Sequence, residues 1–141
     1  MLFRSQSKTG YVEFAKSVLK KPLLDPTYRT AIANSLLDYQ EYDYGKATLD
    51  TAFKLDSRDL STLWGLALFN EIQGNFTVAI NFRLMIEKYD PWNAKNFLQL
   101  LNDYLKVNDT KNAELTLKKI NSFAANTDEG KQANTLINST N

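Results

Sequence analysis

The run from Leu60 to Asn93, LSTLWGLALFNEIQGNFTVAINFRLMIEKYDPWN, decides the fold. Its first half places Leu63, Leu66, Ala67 and Asn70 at i, i+3, i+4 and i+7, one stripe of an α-helix. Gly74-Asn75 interrupts that helix, because glycine accepts the backbone conformation that ends a helix and starts a turn. Phe76, Ala79, Ile80, Leu84 and Ile86 restart an apolar face for a second helix. Asp90-Pro91 ends it, since proline cannot extend the hydrogen-bond ladder and restricts the residue before it. The run therefore encodes a pair of helices.

Sliding the chain on itself by 34 residues brings three registers into line: 26–59, 60–93 and 94–127. Position 7 reads Ile32, Leu66, Leu100, and position 8 reads Ala33, Ala67, Leu101. Position 20 reads Gly45, Ala79, Ala113, and position 27 reads Ala52, Ile86, Ile120. The third register repeats the plan with Phe97, Leu100, Leu101 and Tyr104, a turn at Asn108-Asp109, then Ala113, Leu117 and Ile120. The first has Ile32, Ala33, Leu36 and Leu37, a turn near Glu41 to Asp43, then Leu49, Ala52 and Phe53. The small residues at positions 8 and 20 have a steric reason. Antiparallel helices joined by a short turn approach closely only where the facing side chains are small.

With these residues the chain resembles the tetratricopeptide repeat. The middle register carries the likeness through Leu63, Leu66, Ala67, Gly74, Phe76, Ala79 and Pro91, and the third through Phe97, Leu100, Tyr104, Asp109, Ala113 and Ile120. Arg83 and Leu117 replace the usual aromatic at position 24, Leu101 is large at position 8, and Arg29 weakens the first register. The resemblance implies an all-α fold, a solenoid of antiparallel helix pairs. The expected organisation is a leading segment 1–25, three repeats over 26–127, and a capping helix with a frayed tail over 128–141. Tyr11, Val12, Ala15, Val18 and Leu19 make the leading helix, which breaks at Pro22 and Asp25-Pro26. Thr127-Asp128-Glu129 caps the trailing one, whose apolar face is Ala133, Leu136 and Ile137.

Composition excludes much chemistry. The 141 residues contain no cysteine and no histidine, which removes disulfides, thiol nucleophiles, His-based triads and metal sites built on sulfur or imidazole. Seventeen basic residues against sixteen acidic ones leave a net charge of +1, too little for a nucleic-acid footprint. The longest apolar stretch runs from Leu63 to Phe69, well short of the roughly 20 residues a membrane helix needs. Paired carboxylates, Asp56 with Asp59 and Asp128 with Glu129, are the acid–base option that remains, and they sit where helix caps belong. No catalytic residue, cofactor or metal is expected, and no enzyme.

The repeat resemblance implies a concave groove lined by the first helix of each pair, where a protein or peptide partner binds. Carried onto this chain, the groove positions are Asn34, Trp64, Leu68, Glu71, Lys95, Gln99, Asn102 and Lys106, with Thr30, Leu37 and Leu98 in the same register. Trp64 either anchors the partner or packs as core between helix pairs. Asn34 and Lys95 fall near positions at which some members clamp a C-terminal carboxylate, but Thr30, Ser61 and Gly65 stand where further donors are needed. That ligand is not expected. Trp92 reads as a cap over a repeat junction, with Asn93 starting the next helix, while the tyrosines at 39, 42 and 44 either form an exposed patch or tuck under the inter-helix turn, with Asp43 capping.

Leu2-Phe3-Arg4-Ser5 reads like a translated sequencing-adapter tail ahead of a half-repeat, so the chain is expected to be the C-terminal piece of a longer protein. The run from Asp90 to Leu100 also looks like the repeats that follow the membrane region of bacterial O-antigen ligase and polymerase-like proteins. That likeness implies a soluble appendage with its catalysis elsewhere.

Overall fold

The structure, a computed structural model, describes residues 2–21 and 26–140. The break expected at Pro22 and Asp25 lies outside the described residues. Eight helices and no strand occur among those described: α1 (Leu2–Leu19), α2 (Pro26–Asp38), α3 (Tyr42–Leu55), α4 (Leu60–Ile72), α5 (Phe76–Tyr89), α6 (Ala94–Lys106), α7 (Thr110–Phe123) and α8 (Asp128–Thr140). The chain divides into two compact units, Met1–Phe69 and Asn70–Asn141, with the division inside α4.

The 34-residue period reappears in the helix ends. Asp59, Asn93 and Thr127 precede α4, α6 and α8, and each side chain accepts a backbone N–H three residues on, from Thr62 (2.9 Å), Asn96 (3.0 Å) and Gly130 (3.2 Å). Gln40, Gly74 and Asn108, again 34 apart, have positive φ of 64°, 77° and 60°. The following N–H groups return to carbonyls five residues back: Glu41 to Leu36 (2.8 Å), Asn75 to Asn70 (2.8 Å) and Asp109 to Tyr104 (2.9 Å). This is the Schellman closure, which satisfies carbonyls that the end of a helix leaves orphaned. The turn expected near Glu41 to Asp43 thus begins earlier, at Gln40. Asp43 is no cap either, because it lies in the first turn of α3, whose flanking residue is Glu41.

In the first unit, α1 packs on α2 and α2 on α3. Val12, Ala15 and Leu19 bury against Leu36, bordered by Tyr11, Ile32, Tyr39 and Tyr44. Gly45 lets α3 approach α2, since a Cβ there would lie 2.8 Å from Leu37 Cδ2 and 3.2 Å from the Ala33 carbonyl. Thr30 and Leu37 are both buried, and Thr30 Oγ1 meets Thr62 Oγ1 at 3.2 Å. They belong to the core, not to the groove that their register suggests.

In the second unit, α6 is central and packs against α5, α7 and α8. Ile80, Phe97, Leu98, Leu100, Leu101, Ala113, Ile120 and Ala124 form its core, closed by Ala133 of α8 with Leu136 and Ile137 beside it. Leu98, a groove position by register, is also core. Leu84 departs from the expected apolar face: it is 40% exposed, while its neighbour Arg83 points inward at 1%. Trp92 stands nearly perpendicular to the Phe123 ring, 5.4 Å between centres, yet remains 71% exposed, so it borders α7 without sealing a junction.

Two substitutions test these closures. Gln40→Gly removes the cost of a left-handed non-glycine residue, about 1–2 kcal/mol, against about 0.5–1 kcal/mol of added chain entropy. A net gain of roughly 0.5–1 kcal/mol in urea denaturation is expected. At Gly130 a Cβ would lie 2.2 Å from the Ala124 carbonyl and 2.8 Å from that of Ala125, backbone atoms that no rotamer change can move. Gly130→Ala should cost about 1–3 kcal/mol by forcing α8 off its seat, read as faster amide exchange along that helix.

Candidate partner-binding site

In the first unit Asn34 from α2 meets Leu60, Ser61 and Trp64 from the start of α4 around an open hollow of about 240 Å³. The Asp59 cap fixes where α4 begins and so sets the spacing of those three residues. Asn34 Oδ1 is the buried end of its side chain and accepts no hydrogen bond among the described residues. It occupies space that Gly65 leaves, for a Cβ on that glycine would lie 2.3 Å from it and 2.7 Å from Leu49 Cδ2. With Oδ1 buried, the amide Nδ2 is the end of the side chain left to act as a donor for a carbonyl or carboxylate oxygen. Trp64 and Leu60 are both partly exposed and supply apolar walls. Leu68 lies one turn further along α4, half-buried.

In the second unit Lys95, Gln99, Asn102 and Lys106 fall at i, i+4, i+7 and i+11 of α6, a single exposed to half-exposed stripe. The opposite face of α6 is core, which gives the helix its two characters. Glu71 is not a free surface carboxylate. Its oxygens accept from Arg83 Nε at 2.8 Å and Nη2 at 3.0 Å, a two-pronged pair buried at Arg83 and largely shielded at Glu71. The structure therefore gathers Asn34 with Trp64, aligns the four α6 residues, and ties Glu71 into the fold.

Sequence reading missed what surrounds Glu71. Arg83 also approaches Asn96 Oδ1 at 3.5 Å, and Asn96 Nδ2 donates to the Arg83 carbonyl at 3.0 Å. Asp103 is fully buried, and neither of its carboxyl oxygens meets a donor from another described residue. Burial pushes its pKa up to about 8, helped by a hydrogen bond with Glu71 and by that group's charge, against the opposing pull of Arg83. The available signal was Arg83 itself, a cation at an inward position, which demands a counter-charge. Elsewhere the Asn112 side-chain amide, then its backbone N–H, holds Asp109 below the ordinary carboxylate range, as its capping role requires. Among the described residues no three Asp or Glu side chains gather as a metal site, and no helix is long and apolar enough to cross a membrane.

No protein-family model and no curated protein matches the chain. Solved structures do. MamA superposes with a TM-score of 0.73 at 12% identity, over 98% of this chain and 91% of that one. YrrB, a tetratricopeptide-repeat protein with an unusual peptide-binding site, superposes at 0.73 with 18% identity, over 89% of this chain and 66% of that one. The Yersinia enterocolitica type III secretion chaperone SycD, in complex with a peptide of the translocator YopD, gives 0.69 and 18%, over 84% and 92%. At such identities the likeness establishes the fold: all-α, a tetratricopeptide-type helical repeat of antiparallel helix pairs.

Gly65→Ala tests the support beneath Asn34. The added methyl must displace the Asn34 amide and Leu49 together, about 1–3 kcal/mol, against about 1 kcal/mol of helix propensity gained, so a net cost of up to about 2 kcal/mol in thermal unfolding is expected. The Asn34 side-chain amide resonances should shift, whereas those of Asn102 on α6 should stay in place.

Proposed function

We propose that the chain is a non-catalytic interaction scaffold that holds a peptide segment of a partner protein. The observation that carries this reading is the hollow where Asn34, its Oδ1 buried, lies beside Trp64 and leaves Nδ2 as the amide's donor. A peptide needs both elements: a donor for a main-chain carbonyl and an apolar wall for a side chain. YrrB and SycD support it, as proteins of the same fold with a peptide-binding site and a bound peptide respectively. The further groove positions proposed are Leu68 on α4, Glu71 through its hold on Arg83, and Lys95, Gln99, Asn102 and Lys106 along α6. No residue is assigned a catalytic role and no cofactor is invoked. The likeness to O-antigen ligase repeats has no counterpart among the structures named above and forms no part of the proposal.

Peptides selected from a phage-displayed library on the full chain supply the probe. In a Trp92→Phe background, where Trp64 is the remaining indole, binding should change its emission. Trp64→Ala should weaken binding by about 2 kcal/mol, roughly thirtyfold, with the circular dichroism unchanged. Loss of helix in that variant would make Trp64 a core residue and remove the site. Asn34→Ala should weaken binding while leaving the fold intact. Equal affinity in wild type and Asn34→Ala would sink the assigned donor.

A further inference from the structure

We propose that Glu71, Arg83, Asn96 and Asp103 form a proton-operated latch, in which protonated Asp103 holds α6 against the last turn of α4 and ionised Asp103 lets the two part. This inference does not rest on the peptide-binding reading. It starts from charge. The site encloses one cation and two carboxyl groups, with side chains of Arg83 and Asp103 essentially inaccessible and Glu71 nearly so. Arg83 and Glu71 neutralise each other through two hydrogen bonds. Any charge on Asp103 would be surplus, in a place where water cannot solvate it.

Hydrogen bonding points the same way. No donor from another described residue reaches either Asp103 oxygen, so the carboxylate form would be buried and unsatisfied. The acid form supplies its own donor, an O–H directed to the Glu71 carboxylate. Asn96 is committed to Arg83 and does not compete for the role. The charges that act on Asp103 are Glu71 from α4 and Arg83 from α5. The helices α7 and α8 also pack on α6, but their charged side chains, Lys111, Glu114, Lys118 and Lys119 on one and Asp128, Glu129 and Lys131 on the other, are exposed or half-exposed.

The sign of the pH dependence follows. Burial lifts the folded-state pKa to about 8, far above the ordinary Asp value. Below about pH 4 both the folded and the unfolded chain hold this proton, and the latch contributes fully. Between about 4 and 8 the unfolded chain has released it and the folded chain has not, so stability falls as pH rises. Above that window the folded state releases it too, and the latch opens.

The test uses the full chain. The carboxyl carbons of Asp103 and Glu71 are followed by NMR from about pH 3 to about pH 10, and exchange of α6 amides is compared at about pH 6 and about pH 9.5 after correction for intrinsic rates. The expected result is an Asp103 transition well above the ordinary carboxylate range, with α6 protection at least about tenfold lower at the higher pH. Asp103→Asn keeps a permanent donor to Glu71 and should hold that protection constant. An Asp103 transition near its ordinary value, or an equal loss of protection in Asp103→Asn, overturns the proposal. Should that variant fail to fold, the wild-type carboxyl titration decides alone.

Discussion

The hydrogen bond that brings the chain back over each finished helix, from Glu41 to Leu36, Asn75 to Asn70 and Asp109 to Tyr104, sets the register on which the rest relies. It consumes a carbonyl that would otherwise face the turn unpaired, and it needs one residue of left-handed backbone just before the returning N–H. Because Gln40, Gly74 and Asn108 occupy that place at a constant interval, the second helix always starts at the same angular position. Gly45, Ala79 and Ala113 then reach their buried positions, where a larger residue would hold the helices apart. Were the reversal to slip by one residue, those positions would rotate by about 100° and present polar side chains to the core.

Most of this architecture is legible in the residues alone, because periodicity is a repeated observation. Gly74 announces its turn through its chemistry, and Asn108 does so more weakly. Gln40 announces nothing: glutamine has no bias toward left-handed backbone, so only the match to position 74 places the turn there. Leu84 shows the opposite failure. Arg83 and Leu84 are neighbours about 100° apart around α5, and the structure turns Arg83 inward and leaves Leu84 at the surface. Hydrophobicity argued for one side chain, whereas an available ion pair decided for the other.

The polar interior is the part that sequence reading resolves least. Arg83 and Glu71 are twelve residues apart, Arg83 and Asp103 twenty, and no local rule links those positions. Their meeting depends on α5 and the end of α4 already being placed against α6. The Thr30, Thr62 and Asp59 chain is a smaller instance in the first unit. Thr62 Oγ1 donates to the capping carboxylate at 2.6 Å, which leaves Thr30 Oγ1 as the donor to Thr62. A residue that looked like surface on a helical wheel is thereby drawn into a helix cap. The Asn34 hollow was half legible, since the register supplied Asn34 and Trp64 but not the role of Gly65.

That role has an evolutionary consequence. The amide's placement depends on an absent methyl group, so Asn34 and Gly65 constrain each other although 31 positions separate them. A lineage that lost the polar side chain could place alanine on α4, gaining helix propensity of about 1 kcal/mol, only if residue 49 also gave way, since that methyl would lie 2.7 Å from Leu49 Cδ2 as well. One that kept it could not. Among relatives of this chain positions 34, 49 and 65 should therefore change together, and the glycine would carry a trace of the proposed site at a residue whose own atoms need never touch a partner.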